Sequence, residues 1–343
     1  MKRYGNLYKD ICNLDNIILA HKNARRGKSS YREVIYVDNH HDECMAKIKD
    51  MLETKTYANS EYEVFSRVFG AKTRQIYKLP YFPDRIIHHC IMQVLEPIWG
   101  RVFIRDTYSS IKGRGIHDGL HRVKEALRNN DDMMCLKMDV KKFYPSIDHA
   151  ILKRQLRYKI KCNDTLGLLD LIIDSADGVP IGNYLSQYFG NLYLTGMDHW
   201  IKETLKCKNY FRYCDDLVIL DKSGDMLHAY REQIEKYLRD ELNLTLKGNW
   251  QVFSVKTRGI DFLGYRIFKD YCLVRKSIIK EFKRKNCCGK ENKNSIMSYA
   301  GWFKFADTFN FQTIYMRREY ENRTKRGGSA KSITIKREMA NCV

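Results

Sequence analysis

Three aspartates have the side-chain type and the sequence positions that metal-dependent chemistry requires. Asp139 lies at the end of the apolar run Met133–Val140, while Asp215 and Asp216 stand between two short apolar arms in Tyr210–Leu220. Carboxylates at such positions repel one another unless a cation binds between them. Oxygen ligands suit Mg²⁺ or Mn²⁺, and two such ions about 4 Å apart can activate a hydroxyl and stabilise a leaving pyrophosphate. The pattern predicts phosphoryl transfer, although an isolated Asp-Asp pair more often marks a turn or a helix cap.

The elements that must position these acids are a mixture of strands and helices. The run Met133–Val140 predicts a strand, and Tyr210–Leu220 predicts a hairpin with the acids at its tip. Further strand-like runs are predicted at 62–69, 250–255 and 261–268, and helices at 85–98, 121–127, 149–160, 225–242 and 295–309, with a turn and then a helix in 178–194. Because strands and helices do not alternate strictly, this order favours an α+β fold.

Composition indicates a folded, basic protein. The 343 residues are 44% hydrophobic and carry a formal net charge of +20. Since a domain has about 150 residues, a chain of this length is expected to form about two or three domains. A large positive charge favours nucleic acid as the partner of this protein. The alternatives are that it binds an anionic membrane surface, or that it is a basic soluble protein whose charge serves no binding function. There is no apolar run of about 18–20 residues, as a membrane span would need. The basic start lacks the apolar segment of a secretory signal, which predicts a cytoplasmic location and no membrane partner.

Cysteine and histidine do not predict a metal centre. The 11 cysteines include no C-x-x-C pair, so reduced, mostly buried thiols are expected rather than a zinc ribbon. The run His88-His89-Cys90 lies within a helical pattern whose apolar face is predicted to be core, which is a better explanation than a metal cluster.

The residues around the acids resemble the palm of a reverse transcriptase. The motifs are YCDD at 213–216 and KMDVKKFYPSID at 137–148, and the resemblance extends from about Arg74 to Phe309. It implies an RNA-directed DNA polymerase with an α+β right-hand fold, in which the palm is an antiparallel sheet with flanking helices. It divides the chain into fingers at 1–84, a palm helix at 85–107, a second part of the fingers at 108–130, the palm at 131–268, and a short basic helical thumb with a tail at 269–343.

The resemblance also implies roles for individual residues. Asp139, Asp215 and Asp216 would be catalytic and, with the Val140 carbonyl, would hold two Mg²⁺ ions, for which Mn²⁺ can substitute. Tyr144 would be the steric gate that rejects a 2′-hydroxyl. The dNTP site would comprise Lys72, Arg74, Tyr144, Ile181, Gly182, Gln187 and Lys247, and the primer grip would comprise Phe262, Leu263, Gly264 and Tyr265. The backbone of an RNA–DNA duplex would follow Arg275, Lys276, Lys283, Arg284 and Lys285.

One motif resembles a particular branch of this family. Ile181-Gly182-Asn183-Tyr184-Leu185-Ser186-Gln187 is similar to the Ile-Gly-x-x-x-Ser-Gln of enzymes from diversity-generating retroelements, where other bacterial reverse transcriptases carry Gln-Gly-x-x-x-Ser-Pro. This implies mutagenic retrohoming, with errors opposite adenines of a template-repeat RNA, and a small basic accessory variability protein that is usually pentameric. An apolar Ile181 cannot hydrogen-bond near the template base, although packing alone also accounts for it.

Two other functions stay open from the sequence. A related reverse transcriptase could serve in anti-phage defence and make cDNA without mutagenesis. A catalytically idle RNA-binding scaffold is a possibility of another class, but the intact carboxylates, steric gate and basic fingers argue against it. Further candidate RNA contacts are the basic segment His21–Ser30, predicted to be a loop, the run Gly113-Arg114-Gly115 and the polar tail at 319–343.

Overall fold

A computed structural model describes residues 3–69, 72–286 and 293–311 of the chain. The helices are α1 (Leu7–Cys12), α2 (Leu14–Ala24), α3 (Arg32–Asn39), α4 (His41–Glu53), α5 (Ile86–Trp99), α6 (Ile116–Leu127), α7 (His149–Lys159), α8 (Asn163–Ile173), α9 (Tyr184–Glu203), α10 (Gly224–Leu242), α11 (Val255–Arg258), α12 (Lys276–Asn286) and α13 (Lys293–Phe303). The strands are β1 (Glu63–Phe69), β2 (Lys72–Lys78), β3 (Met134–Asp139), β4 (Asn209–Tyr213), β5 (Asp216–Asp221), β6 (Gln251–Ser254), β7 (Ile260–Phe262), β8 (Tyr265–Ile267) and β9 (Cys272–Val274).

Two compact units make up the described chain. The first contains Met1–Gly115, Leu136–Ile219 and Asp225–Gln251, and the second contains the remaining segments. The described residues form three sheets: an antiparallel hairpin β1-β2, a four-stranded sheet in the order β4-β5-β3-β6, and an antiparallel sheet β7-β8-β9. The mixture of separate sheets and helices is α+β, as predicted. No helix in the described part of the chain is long and apolar enough to span a membrane.

The core of the first unit lies where the apolar periodicity predicted it. On α5, Ile86, Ile87, Ile91 and Leu95 are buried, and so are His88 and Cys90. Among the described residues no group of three or more His, Cys, Asp or Glu side chains is arranged to hold a metal ion. The run His88-His89-Cys90 lies in α5, whose apolar face is buried, so the interpretation of this run as part of a core helix is confirmed.

Several predicted elements have different bounds. The basic segment at 21–30 is not a loop throughout, because His21–Ala24 belong to α2; His21 is buried and its Nε2 lies 2.9 Å from Asp38 Oδ1. The helix expected from residue 121 begins at Ile116, and the helix expected to reach residue 309 ends at Phe303. Helix α8 was not predicted.

The second unit has a tight hairpin where one continuous strand-like run was expected. Leu263 and Gly264 both have positive φ, 54° and 83°, so the chain reverses between β7 and β8. A Cβ at Gly264 would collide with the Trp302 ring of α13, which is a second reason why glycine is required there. Aromatic residues of this unit form a core around Phe282 and Phe303; Phe309, in contrast, is 81% exposed.

Candidate active site

The segment after β3 is held on both sides by backbone hydrogen bonds. Val140 N donates to Asp215 O over 3.3 Å, and Lys141 N donates to Thr245 O over 2.8 Å. Lys247 N donates to Asp139 O over 2.9 Å. These bonds place the end of β3 between the β4–β5 turn and the chain leading to Lys247. The carboxylates at 139 and 215, distant in sequence, are thereby brought together.

The turn that carries the acids has a strained backbone. Cys214 and Asp215 alone connect β4 to β5, and Cys214 has φ of 59°, a left-handed conformation that costs a non-glycine residue about 1 kcal/mol or more. Two contacts hold it: Arg212 Nη1 donates to Cys214 O over 3.0 Å, and the Tyr144 hydroxyl lies 2.9 Å from Cys214 Sγ. The surrounding structure thus fixes the direction of the turn that carries Asp215.

The three carboxylates are crowded and poorly solvated. Burial and, second in size, the neighbouring Asp139 carboxylate together raise the pKa of Asp215 to about 6. Burial also raises the pKa of Asp216 to about 6, although Lys137 opposes this shift. Lys247 Nζ lies 2.6 Å from Asp139 Oδ2, and Lys137 Nζ lies 3.3 Å from Asp216 Oδ2. The site therefore needs more positive charge than two lysines supply.

The donor chemistry fits divalent magnesium or manganese. Asp139 Oδ1 and Asp216 Oδ1 are buried and accept no hydrogen bond, which is costly for an anionic oxygen unless another ligand occupies it. The available donors are oxygens, the ligands that Mg²⁺ and Mn²⁺ prefer. Although the side chains do not converge into a three-ligand cluster within the described residues, these two oxygens and Asp215 are the groups that a cation would stabilise.

Neutralising Asp215 is expected to stabilise the metal-free protein. The pKa of Asp215 rises from 3.8 to about 6 on folding, so the folded chain binds this proton more tightly than the unfolded chain, and the free energy of unfolding falls as pH rises between about 4 and 6. An Asp215→Asn variant lacks this loss. Its melting temperature in EDTA should exceed that of the wild type at pH 8, and the difference should shrink towards pH 4.5. A difference in melting temperature that does not change with pH would show that the raised pKa of Asp215 is not its cause.

The predicted steric gate, Tyr144, lies in a close-packed position. A Cβ at Gly190 of α9 would come within 3.1 Å of both the Tyr144 and Phe143 rings. Val179 N donates to Tyr144 O over 2.9 Å. The ring is therefore held between Cys214 and the part of α9 around Gly190.

The start of α9 is attached to the β1-β2 hairpin, the predicted fingers. Tyr77 N donates to Ile181 O over 2.8 Å, and Gly182 has φ of 130°. A Cβ at Gly182 would collide with Tyr77 O, so only glycine allows this approach. Arg74 is exposed on β2, whereas the side chain of Lys72 is outside the described residues. The structure thus links Ile181 and Gly182 to the strand that carries Arg74.

Gln187 lines a cavity that is separate from the three aspartates. Its Oε1 accepts a hydrogen bond of 2.7 Å from Ser110, and both residues line a cavity of about 500 Å³ together with residues of α5 such as Gln93 and Glu96. Asp139, Asp215 and Asp216 do not line this cavity. A direct contact of Gln187 with a dNTP stays a prediction.

The predicted primer grip and the basic thumb residues belong to the second unit. Phe262, Leu263 and Tyr265 are buried, and the Tyr265 hydroxyl donates to Trp302 O over 3.1 Å and lies 3.1 Å from His117 Nε2. Arg275 forms an ion pair of 2.7 Å with Asp261, and Lys285 forms one with Glu281. Lys276, Lys283 and Arg284 lie on α12. The tail at 319–343 is outside the described residues.

Sequence reasoning missed a buried polar cluster behind the catalytic turn. Arg212 and Asp198 have fully buried side chains and form an ion pair of 2.6 Å. The Tyr210 hydroxyl donates to Asp198 over 2.7 Å, and Arg212 Nη1 donates to Asn191 Oδ1 over 3.2 Å. Burial opposes the charge on Arg212, but the Asp198 carboxylate outweighs it and raises the pKa of Arg212 above its ordinary value. The only sequence signal was an Arg inside an apolar strand.

Comparison with known proteins identifies the family. The model for "Reverse transcriptase (RNA-dependent DNA polymerase)" matches residues 69–267, more than half of the chain. This chain belongs to the reverse transcriptase family. Protein YkfC of Escherichia coli K12 is 24% identical to this chain over 237 residues, and the alignment covers 56% of this chain and 62% of YkfC. The group II intron-encoded protein LtrA of Lactococcus lactis is 23% identical over 341 residues, covering 77% and 57%. The chain thus spans about three fifths of these relatives' lengths.

Solved structures confirm the fold predicted for the reverse transcriptase. Telomerase from Candida albicans in complex with a TWJ fragment of telomeric RNA has a TM-score of 0.55 at 10% identity, covering 84% of this chain and 60% of that chain. Apo telomerase from Candida tropicalis has a TM-score of 0.51 at 13% identity, covering 74% and 54%. The right-hand polymerase fold is confirmed, and at these identities the likeness concerns the fold alone.

Proposed function

We propose that this reverse transcriptase copies an RNA template into DNA at Asp139, Asp215 and Asp216. The observation that carries the proposal is the pair of buried carboxylate oxygens without hydrogen bonds, next to an Asp215 whose pKa is raised to about 6. The carboxylates of such a set repel one another, and bound cations would reduce this repulsion. The family match supports the choice of nucleotide polymerisation over other phosphoryl transfers.

The carboxylates and the Val140 carbonyl are the groups that would hold Mg²⁺ or Mn²⁺. When bound, two such ions would make the primer 3′-hydroxyl more acidic and neutralise the departing pyrophosphate. Lys247, already beside Asp139, is placed to orient that carboxylate and to meet phosphate charge. The fixed Tyr144 ring would exclude a 2′-hydroxyl and so select dNTPs.

Other parts of the chain would position the substrates. Lys72 and Arg74 of the β1-β2 hairpin would contact the triphosphate, for which the forked guanidinium of Arg is suited. The β7–β8 turn at 262–265 would place the primer end. The basic residues Arg275, Lys276, Lys283, Arg284 and Lys285 would follow the RNA–DNA duplex through its phosphates, without reading sequence.

Primer extension on a defined RNA template with Mg²⁺ and four dNTPs tests this function. We expect full-length cDNA from the wild type and none in EDTA. An Asp215→Asn/Asp216→Asn variant should yield no product. Extension by the double variant equal to that of the wild type would refute the assignment of the site. If the wild type is silent, the assay is repeated with its cognate RNA and accessory protein.

We further propose that the enzyme is an error-prone member of the diversity-generating type. The supporting features are the motif Ile181–Gln187 and the attachment of Ile181 O to Tyr77 N, which fixes an apolar side chain at the junction of hairpin and α9. An apolar group there gives less polar control over the nascent base pair than Gln would. On this proposal the enzyme copies a template-repeat RNA and works with a small basic accessory protein.

An Ile181→Gln variant is expected to make fewer errors opposite template adenines. The amide can hydrogen-bond where Ile181 cannot, and a well-formed hydrogen bond that discriminates between pairs is worth about 1 kcal/mol, or roughly a fivefold change in error frequency. Deep sequencing of cDNA from one RNA template measures this, with Ile181→Val as the matched apolar control. An unchanged error spectrum would limit Ile181 to packing. Faithful copying by the wild type would instead favour the defence function.

A further inference from the structure

Helix α7 presents a basic concave surface that the proposed catalytic function does not use. Arg3, Ala150, Lys153, Arg154, Arg157 and Tyr158 line a shallow hollow of about 670 Å³, which we call the α7 hollow. None of the catalytic aspartates or predicted dNTP residues is part of it. The hollow lies within the first unit.

Helical spacing explains why these side chains share one surface. Ala150, Lys153, Arg154, Arg157 and Tyr158 are three or four residues apart along α7, so they lie on one face, while Ile151, Leu152 and Leu156 pack into the core. The small side chain of Ala150 leaves the floor of the hollow open. Arg3 is added from the N-terminal segment, because Tyr4 forms a parallel bridge to Ile160 and Arg3 Nη2 donates to Ile160 O over 3.3 Å.

The hollow keeps an excess of positive charge. Lys153 pairs with Asp174 and Arg157 pairs with Asp170, but both pairs lie at the surface, where such pairs contribute little and phosphate can compete. Arg154 is exposed and has no ion-pair partner among the residues that the structure describes. Four cations against two carboxylates leave a surface suited to an anionic polymer.

An exposed aromatic ring distinguishes this surface from a merely solvated charged face. Tyr158 is 59% exposed beside Arg154 and Arg157. Exposed rings among cations are typical of single-stranded nucleic-acid sites, where bases stack on the ring and phosphates meet the cations. We propose that the α7 hollow binds a single-stranded segment of RNA outside the catalytic cleft. The inference goes beyond the proposed function, since it concerns RNA that is held but not copied.

Fluorescence anisotropy with a labelled single-stranded RNA of about 20 nucleotides tests the proposal. The whole chain carries Asp215→Asn, so that catalysis plays no part, and is first saturated with an unlabelled primer–template duplex. The labelled RNA should still bind. The further change Arg3→Ala/Arg154→Ala should weaken binding about tenfold and make the slope of log affinity against log salt shallower by about 1.4, which corresponds to two lost phosphate contacts.

The aromatic contribution has its own controls. Tyr158→Ala should weaken RNA binding about tenfold, whereas Tyr158→Phe keeps the ring and should bind as the parent does. Lys236→Ala, which removes an exposed cation from α10, should have no effect, and circular dichroism shows whether each variant is folded. Unchanged RNA affinity and salt slope in the Arg variants would overturn the proposal. Equal binding of polyglutamate, independent of Tyr158, would also overturn it and indicate an acidic protein partner. If the cleft binds no duplex, the variants still test the hollow while the proposed function fails.

Discussion

An Asp215→Asn variant should lose about a thousandfold or more of its primer-extension rate while still binding primer–template. Removing one anionic ligand deprives the site of several kcal/mol of transition-state stabilisation, and each 1.4 kcal/mol is about tenfold in rate. The amide keeps the shape of the side chain, so the Cys214–Asp215 turn should persist. Single-turnover incorporation of one dNTP measures the chemical step, and anisotropy with labelled duplex measures binding.

The matched control for this variant is Asp240→Asn. Asp240 lies on α10 and pairs with Arg239 at the surface, so the same chemical change should leave incorporation unaltered. A thousandfold loss in both variants would indicate a general defect. A loss of less than tenfold in Asp215→Asn would remove Asp215 from the ligands and contradict the two-ion site.

The second large effect is expected at the buried ion pair behind the catalytic turn. Asp198→Ala leaves the Arg212 guanidinium fully buried without its carboxylate, and breaking such a pair costs about 3–5 kcal/mol of folding stability. Arg212 also donates to Cys214 O, so the turn carrying Asp215 should lose its orientation. Thermal unfolding followed by circular dichroism should show a large drop in melting temperature. Asp240→Ala removes the ion pair with Arg239 at the surface and should lower the free energy of unfolding by less than about 1 kcal/mol.

A double variant separates stability from positioning. Replacing the pair by apolar residues of similar size, Asp198→Leu/Arg212→Met, should restore much of the stability, because no buried charge remains. Primer extension should stay low, since Cys214 O then lacks its donor. Recovery of wild-type activity together with stability would show that Arg212 has no positioning role and acts through folding alone.

The positions of Asp139, Asp215 and Asp216 were predictable because their sequence signal is local. A strand ending in Asp139 and a hairpin with Asp215 and Asp216 at its tip follow from short apolar runs that stop at acidic residues. The structure contains the strand and the hairpin, with Asp215 in the turn and Asp216 as the first residue of β5. The buried face of α5 was equally predictable, because its apolar residues recur in the sequence with the helical period of 3.6 residues.

Features that depend on tertiary contacts were not predictable in the same way. Arg212 is buried because Asp198 of α9 meets it, and nothing near either residue in sequence indicates that partner. The cavity that Gln187 faces depends on how α9 is rotated against the loop carrying Ser110. The reversal at Leu263 was missed because positive φ is unusual for leucine and is held here by packing around Gly264.

Single-nucleotide insertion on an RNA template shows whether Asp139, Asp215 and Asp216 carry out template-directed DNA synthesis. A primer annealed to RNA is offered each dNTP separately with Mg²⁺, opposite each of the four template ribonucleotides, and the series is repeated with a template-repeat RNA and the small basic protein that the proposed function calls for. We expect the wild type to add the complementary dNTP with pyrophosphate release, with the most errors opposite adenine, and variants at Asp139, Asp215 or Asp216 to add none. Insertion that survives all three substitutions, or that ignores the template base everywhere, would contradict it.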